Sequence, residues 1–176
     1  MFPPHLLDER RVLAGASIRS KKRLLETLAE LLASDQPQLN REAVFDRLLE
    51  RERLGSTGLG HGVALPHARV AEVTDSIGAF IQLREPVSFD AIDDQPVDLA
   101  FALLVPEEAN EAHLRLLADL AELFNRQALR QQLHGALDAR ALLAILTPVG
   151  LPGASGPDTA GETGANTGGP GSSAAT

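Results

Sequence analysis

Apolar positions along this chain switch from helical to extended spacing and then back. From Ser20 to Ala33, Leu24, Leu28, Leu31 and Leu32 recur three to four residues apart, which predicts an amphipathic helix capped by Ser20. A second helix is predicted from an Asn40 cap to Gly55, with Val44, Phe45, Leu48 and Leu49 on its buried face. Ile77–Leu83 and Val97–Val105 read as strands. The latter is apolar on both faces after Asp98, as a central strand would be, and Pro106 stops it. Helical spacing returns after Asn110, where Leu114, Leu117, Ala121 and Phe124 form the predicted buried stripe. Two short helices follow, Gln127–His134 and Asp138–Leu146, the second capped by Asp138. This order predicts helices on both faces of a small mixed sheet.

Composition narrows the picture. The chain has 176 residues, of which 44% are hydrophobic, enough for one domain with a real core. Aromatics make up 3%, with no Trp or Tyr, so aliphatic side chains must do the packing. The absence of Cys excludes disulfides, thiolate zinc sites and a cysteine nucleophile. With no apolar run near the ~18 residues of a membrane span and no signal-peptide pattern, a cytoplasmic protein is expected. A net charge of −8 argues against nucleic acid as the main partner and is compatible with a basic protein. Residues 150–176 hold eight Gly and only one large apolar residue, Leu151, so a flexible tail is expected after a domain at 1–149. The tail takes two acidic residues with it, Asp158 and Glu162, leaving the domain at −6. Lys21, Lys22 and Arg23 sit in the first turn of the first helix, where its dipole disfavours cations. They read as a solvated face or a contact surface.

The candidate chemistry lies in the run Gly55-Ser56-Thr57-Gly58-Leu59-Gly60-His61-Gly62-Val63-Ala64-Leu65-Pro66-His67. Four glycines in eight residues let the backbone turn with positive φ or approach a ligand, and leave amides free to face an anion. Val63-Ala64-Leu65 reads as a short strand, and Pro66 fixes the backbone before His67. A His67 whose Nδ1–H is held by a carbonyl keeps a lone pair on Nε2 and can attack phosphorus. The expected phosphoryl-binding loop comprises Ser56, Thr57, Gly58, Gly60 and Gly62. His113 falls in the first turn after Asn110, where an anion is favoured; it could donate to a phosphoryl oxygen, or be an ordinary residue of that turn. Arg51 could clamp the same group with its donor fork, although Arg51-Glu52-Arg53 also reads as a solvated charge cluster. His5, among prolines in a loose N-terminus, and His134 are given no function. The run lacks the Gly-Lys-Ser/Thr of a P-loop, the dinucleotide fingerprint and the Gly-x-Ser-x-Gly elbow. A zinc site from His61, His67 and His113 is conceivable, but no spacing requires it.

Taken together, these residues resemble the EIIA components of the phosphoenolpyruvate-dependent phosphotransferase system, in the fructose/mannitol/nitrogen-regulatory class, with the nitrogen-regulatory type most alike. The likeness runs from Ser20 to about Leu146. It is carried by Arg51–Gly60 with Val63–His67, by Phe89-Asp90-Ala91-Ile92-Asp93-Asp94-Gln95-Pro96-Val97-Asp98, by Phe101–Pro106 and by His113-Leu114. The resemblance implies a three-layer α/β/α sandwich with a small mixed sheet. It implies His67 as the phosphorylated residue, with His113 and Arg51 assisting, and neither cofactor nor metal. It implies an HPr- or NPr-like phosphocarrier with enzyme I upstream, and regulated proteins such as a potassium transporter or a sensor kinase. A sugar-specific EIIA serving an EIIB in trans and a docking-only module are the alternatives. His61 departs from the pattern, standing where a small polar residue is expected.

Overall fold

A computed structural model describes residues 5–108 and 110–147. The predicted tail at 150–176 lies outside the described residues. The elements run β1 (Val12–Ala16), α1 (Lys21–Ala33), α2 (Arg41–Leu54), β2 (Gly58–Gly60), β3 (Val63–Ala64) and β4 (His67–Val70). They continue with β5 (Ile77–Val87), β6 (Val97–Pro106), α3 (Glu111–Phe124), α4 (Gln127–Gly135) and α5 (Ala139–Leu146). Local chemistry sets the helix starts. Ser20 Oγ accepts the Arg23 N–H at 3.1 Å, Asn40 Oδ1 accepts those of Glu42 and Ala43, and Asp138 Oδ1 accepts that of Ala141 at 2.7 Å.

The six strands form one mixed sheet in the order β1-β5-β6-β3-β2, with β4 also paired to β6. β5 and β6 run antiparallel, with Ala79 opposite Ala102 and Phe80 opposite Phe101. β1 lies parallel to β5, and β3 and β4 lie parallel to β6 one after the other along the same edge. Alternation along the central strands then builds two cores. Ala79, Ile81, Ala100, Ala102 and Leu104 pack with α1 and α2. Phe80, Leu99, Phe101, Leu103 and Val105 pack with α3, α4 and α5. The fold is the expected three-layer α/β/α sandwich. On the second face the rings of Phe80 and Phe124 stack with centroids 6.0 Å apart, and Phe101 lies 5.8 Å from Phe124.

Three expectations change. The N-terminal segment is held, because Leu6 and Leu7 are fully buried and the Leu6 carbonyl accepts the Gly78 N–H at 2.7 Å. The buried stripe of α3 is Leu116, Leu120, Leu123 and Phe124. Leu114 is 59% exposed and Leu117 only partly covered, because the first turns of α3 border an open cleft and not the sheet. Finally, Lys21 is not part of a solvated face. Lys22 and Arg23 are exposed beside Glu26, whereas Lys21 reaches the buried Glu52.

Candidate functional site

The glycine run folds as a hairpin. β2 and β3 pair antiparallel across His61-Gly62, which have φ of 56° and 81°. A tight two-residue turn of this hand requires positive φ at both positions. Gly58 has no room for a side chain, since a Cβ there would lie 2.6 Å from that of Ala91. The hairpin hydroxyls are engaged inside the protein. Ser56 Oγ donates to the Phe89 carbonyl at 2.9 Å, and Thr57 Oγ1 donates to Glu52. Ser56, Thr57, Gly58, Gly60 and Gly62 do not line the cleft described next. The run shapes the backbone that carries His67, and its hydroxyls are not turned to a ligand there.

After β3 the chain reaches Leu65 and Pro66, and β4 opens with His67 opposite Leu103 of β6. The Pro66 carbonyl accepts the Leu103 N–H at 2.9 Å, which fixes the peptide just before the histidine. His67 Nδ1 lies 2.9 Å from the Leu65 carbonyl. A carbonyl oxygen only accepts, so in the neutral ring the proton sits on Nδ1 and the lone pair on Nε2. The half-buried ring is held below the ordinary histidine value. Burial is the main cause; the Leu65 carbonyl opposes it, the Arg51 guanidinium adds to it and Glu52 opposes it.

His67 lines a cleft of about 650 Å³ with His113, Arg51, Leu54, Leu114 and Leu117. His113 belongs to the first turn of α3, whose cap Asn110 accepts the Ala112 N–H at 3.0 Å. The Asn110 N–H donates to His113 Nδ1 at 3.1 Å. An N–H only donates, so in neutral His113 the proton sits on Nε2. The two histidines therefore hold opposite tautomers, one with an acceptor Nε2 and one with a donor Nε2–H. Arg51, on the last turn of α2, donates from Nη1 to the Gly55 carbonyl at 2.9 Å. The three residues singled out in the sequence thus meet in one cleft.

The same cleft shows what the sequence reading missed. Arg47, Arg53 and Arg69 line it beside Arg51, against the single carboxylate of Glu50. The acidic net charge suggested a basic partner, but charge averaged over the whole surface does not describe this basic face. His61 lies elsewhere, lining a hollow with Leu59, Gly60, Glu122 and Asn125, so the three histidines of the conceivable zinc site are not brought together. Among the described residues no group of three or more His, Cys, Asp or Glu could hold a metal ion, and no helix is long and apolar enough to cross a membrane.

Comparison with known proteins gives a consistent picture. The family described as "Phosphoenolpyruvate-dependent sugar phosphotransferase system, EIIA 2" matches residues 5–148. A nitrogen regulatory protein of Pseudomonas aeruginosa is 44% identical over 144 residues, covering 82% of this chain and 94% of that protein. The crystal structure of the nitrogen regulatory protein IIA-Ntr from Neisseria meningitidis superposes with a TM-score of 0.75 at 45% identity, covering 80% of this chain and 96% of that one. The fructose-specific EIIA component of Haloferax volcanii is 34% identical over 130 residues, covering 74% and 84%.

Proposed function

Since this chain belongs to the EIIA type-2 family of the phosphoenolpyruvate-dependent sugar phosphotransferase system, we propose that it is a regulatory phosphoryl relay of the nitrogen-regulatory type that accepts its group on His67. The donor is a phosphohistidine on an HPr- or NPr-like carrier, itself charged by enzyme I. His67 Nε2 attacks phosphorus in line with the bond from phosphorus to the carrier's imidazole nitrogen. A new bond from phosphorus to Nε2 forms as the old one breaks, and the carrier's ring leaves with that electron pair. The Nδ1–H stays on the Leu65 carbonyl throughout. The chemistry is mainly positioning and charge stabilisation, because phosphoryl transfer spreads negative charge over three equatorial oxygens. His113 Nε2–H and the Arg51 guanidinium are the donors suited to those oxygens. Burial pushes the His67 ring below its ordinary value, which favours the neutral, nucleophilic form.

The observation that carries this reading is the pair of tautomer-setting hydrogen bonds, a carbonyl at His67 Nδ1 and an amide at His113 Nδ1, on two histidines that line one arginine-rich cleft. Identities of 44–45% with nitrogen regulatory proteins, against 34% with a fructose-specific component, favour regulation over sugar uptake. The two phosphoforms would then bind regulated proteins differently. The test is incubation with enzyme I, an HPr-like carrier and labelled phosphoenolpyruvate. Label should enter the wild type and be lost in His67→Ala, and undiminished label on that variant would refute the assignment.

A further inference from the structure

α2 carries a carboxylate that the transfer chemistry does not use. The Glu52 side chain is only 2% exposed although it lies between two arginines in sequence. It accepts the Thr57 backbone N–H at 3.0 and 3.2 Å and the Thr57 hydroxyl, and it forms an ion pair with Lys21 Nζ at 2.9 Å. Lys21 comes from the first turn of α1. It also donates to the Phe89 carbonyl at 3.2 Å and lies 4.6 Å from the centre of the Phe89 ring. One ion pair, its carboxylate buried and its ammonium partly covered, thus ties α1, α2, the hairpin and the segment after β5 together.

The contacts continue to the imidazole. The Thr57 carbonyl accepts the Leu65 N–H at 3.0 Å, and the Leu65 carbonyl is the acceptor for His67 Nδ1. Displacing Thr57 displaces Leu65, and displacing Leu65 moves the group that fixes the ring. A buried ion pair adds little net stability over apolar residues of the same shape, and its best-attested effect is to fix the register of what it holds. A bidentate acceptor for both the amide and the hydroxyl of one residue is suited to that role.

We infer that Glu52 is a positioning residue for the transfer: through Thr57 and Leu65 it holds His67 in the Nδ1-protonated tautomer with Nε2 available in the cleft. The inference rests on the reading of His67 as the acceptor. Its effect is expected on the maximal rate and on the ring itself, not on carrier docking, because Glu52 and Thr57 lie outside the cleft lining.

Two variants of the full chain test it, Glu52→Gln and Thr57→Val. The second keeps the backbone N–H and removes only the hydroxyl. ¹⁵N spectra of the His67 ring should move from the Nδ1–H form towards a mixture of tautomers. The maximal rate of phosphorylation should fall about fivefold or more, the ratio corresponding to one net hydrogen bond of about 1 kcal/mol, with the half-saturating carrier concentration unchanged. Unaltered ring signals and unaltered maximal rates in the folded variants overturn the inference and leave Glu52 a partner of Lys21 in the fold alone. If Glu52→Gln does not fold, Thr57→Val decides. The ring spectra read His67 whether or not it accepts the group. Shifted spectra together with undiminished label on His67→Ala would therefore defeat the acceptor reading while still supporting the holding of the ring by Glu52.

Discussion

Replacing Arg51 with methionine removes a charge and a donor fork while keeping most of the aliphatic stem, and two separable effects should follow. Arg51 lines the cleft with His67 and ties the end of α2 to the Gly55 carbonyl. A charge-assisted hydrogen bond is worth about 1.5–3 kcal/mol. If that stabilisation is confined to the transition state, its loss slows transfer about 10- to 150-fold. The second effect concerns the ring. Arg51 helps hold His67 below its ordinary value, so its removal moves the ring back up. Only the neutral ring attacks. The competent fraction therefore falls as pH drops through the ring's own value, and in Arg51→Met that fall begins at a higher pH than in the wild type. The assay is single-turnover labelling from about pH 5 to about pH 8, expressed as the wild-type to variant ratio so that the carrier's titration cancels. At the alkaline end both rings are neutral and the ratio reports the lost donor alone; on acidification it should widen. A ratio below about threefold, or one constant across the range, would refute the reasoning.

His113→Ala should slow labelling about tenfold or more while leaving the His67 ring spectra unchanged; labelling at the wild-type rate would remove His113 from the site. In Gly78→Ala the added Cβ would lie 2.7 Å from the Phe101 ring and 3.2 Å from the Leu6 carbonyl. Such overpacking should cost about 1–3 kcal/mol, read as a lower urea midpoint at unchanged slope. Acid should weaken the wild type more than His67→Gln. The folded ring titrates below 6.5, so between that lowered value and 6.5 the unfolded chain binds more protons and stability falls as pH falls. Denaturation at about pH 7 and about pH 5 tests this, and equal losses in the two proteins would contradict the lowered value.

The parts of the fold legible in the sequence are those set by neighbours in the chain. Ser20, Asn40, Asn110 and Asp138 all cap helices as their residue types suggest, because a cap is made within three residues. β5 and β6 stood out as apolar runs because helices cover both faces of the sheet there. β1 did not, since Val12–Ala16 is short, contains Gly15 and finds its partner in β5, far along the chain. The face of α3 was misjudged because Leu114 and Leu117 keep helical spacing but border the cleft, and periodicity cannot tell a core from an apolar cleft wall. The same blindness hid Glu52. Between Arg51 and Arg53 it looks solvated; the packing of α1 against α2 supplies Lys21, and the turn of the chain after α2 brings back Thr57. The hydroxyls of Ser56 and Thr57 were legible as hydrogen-bonding groups, but not their partners: Phe89 is distant in the chain, and Glu52, though near, is reached only because the chain turns back after α2.

The pairing scheme also dictates when the proposed acceptor His67 can be seated during synthesis. β4, which begins with His67, has β6 as its strand partner, and β3 before it needs β6 as well. β1 likewise waits for β5. Distant pairings of this kind close late, after local helices have formed. A nascent chain emerging at about 5–20 residues per second carries α1, α2 and the whole glycine run well before it carries Val97–Pro106. Arrival of β6 then seats both parallel partners at once, and the aromatic face of the sheet stays open until Phe124 and α5 cover it. A fragment ending before Val97 would contain every residue of the Gly55–His67 run and yet have no strand against which to hold the imidazole. The motif is encoded early in the chain, but the site waits for β6 to seat His67 and for α3 to bring His113.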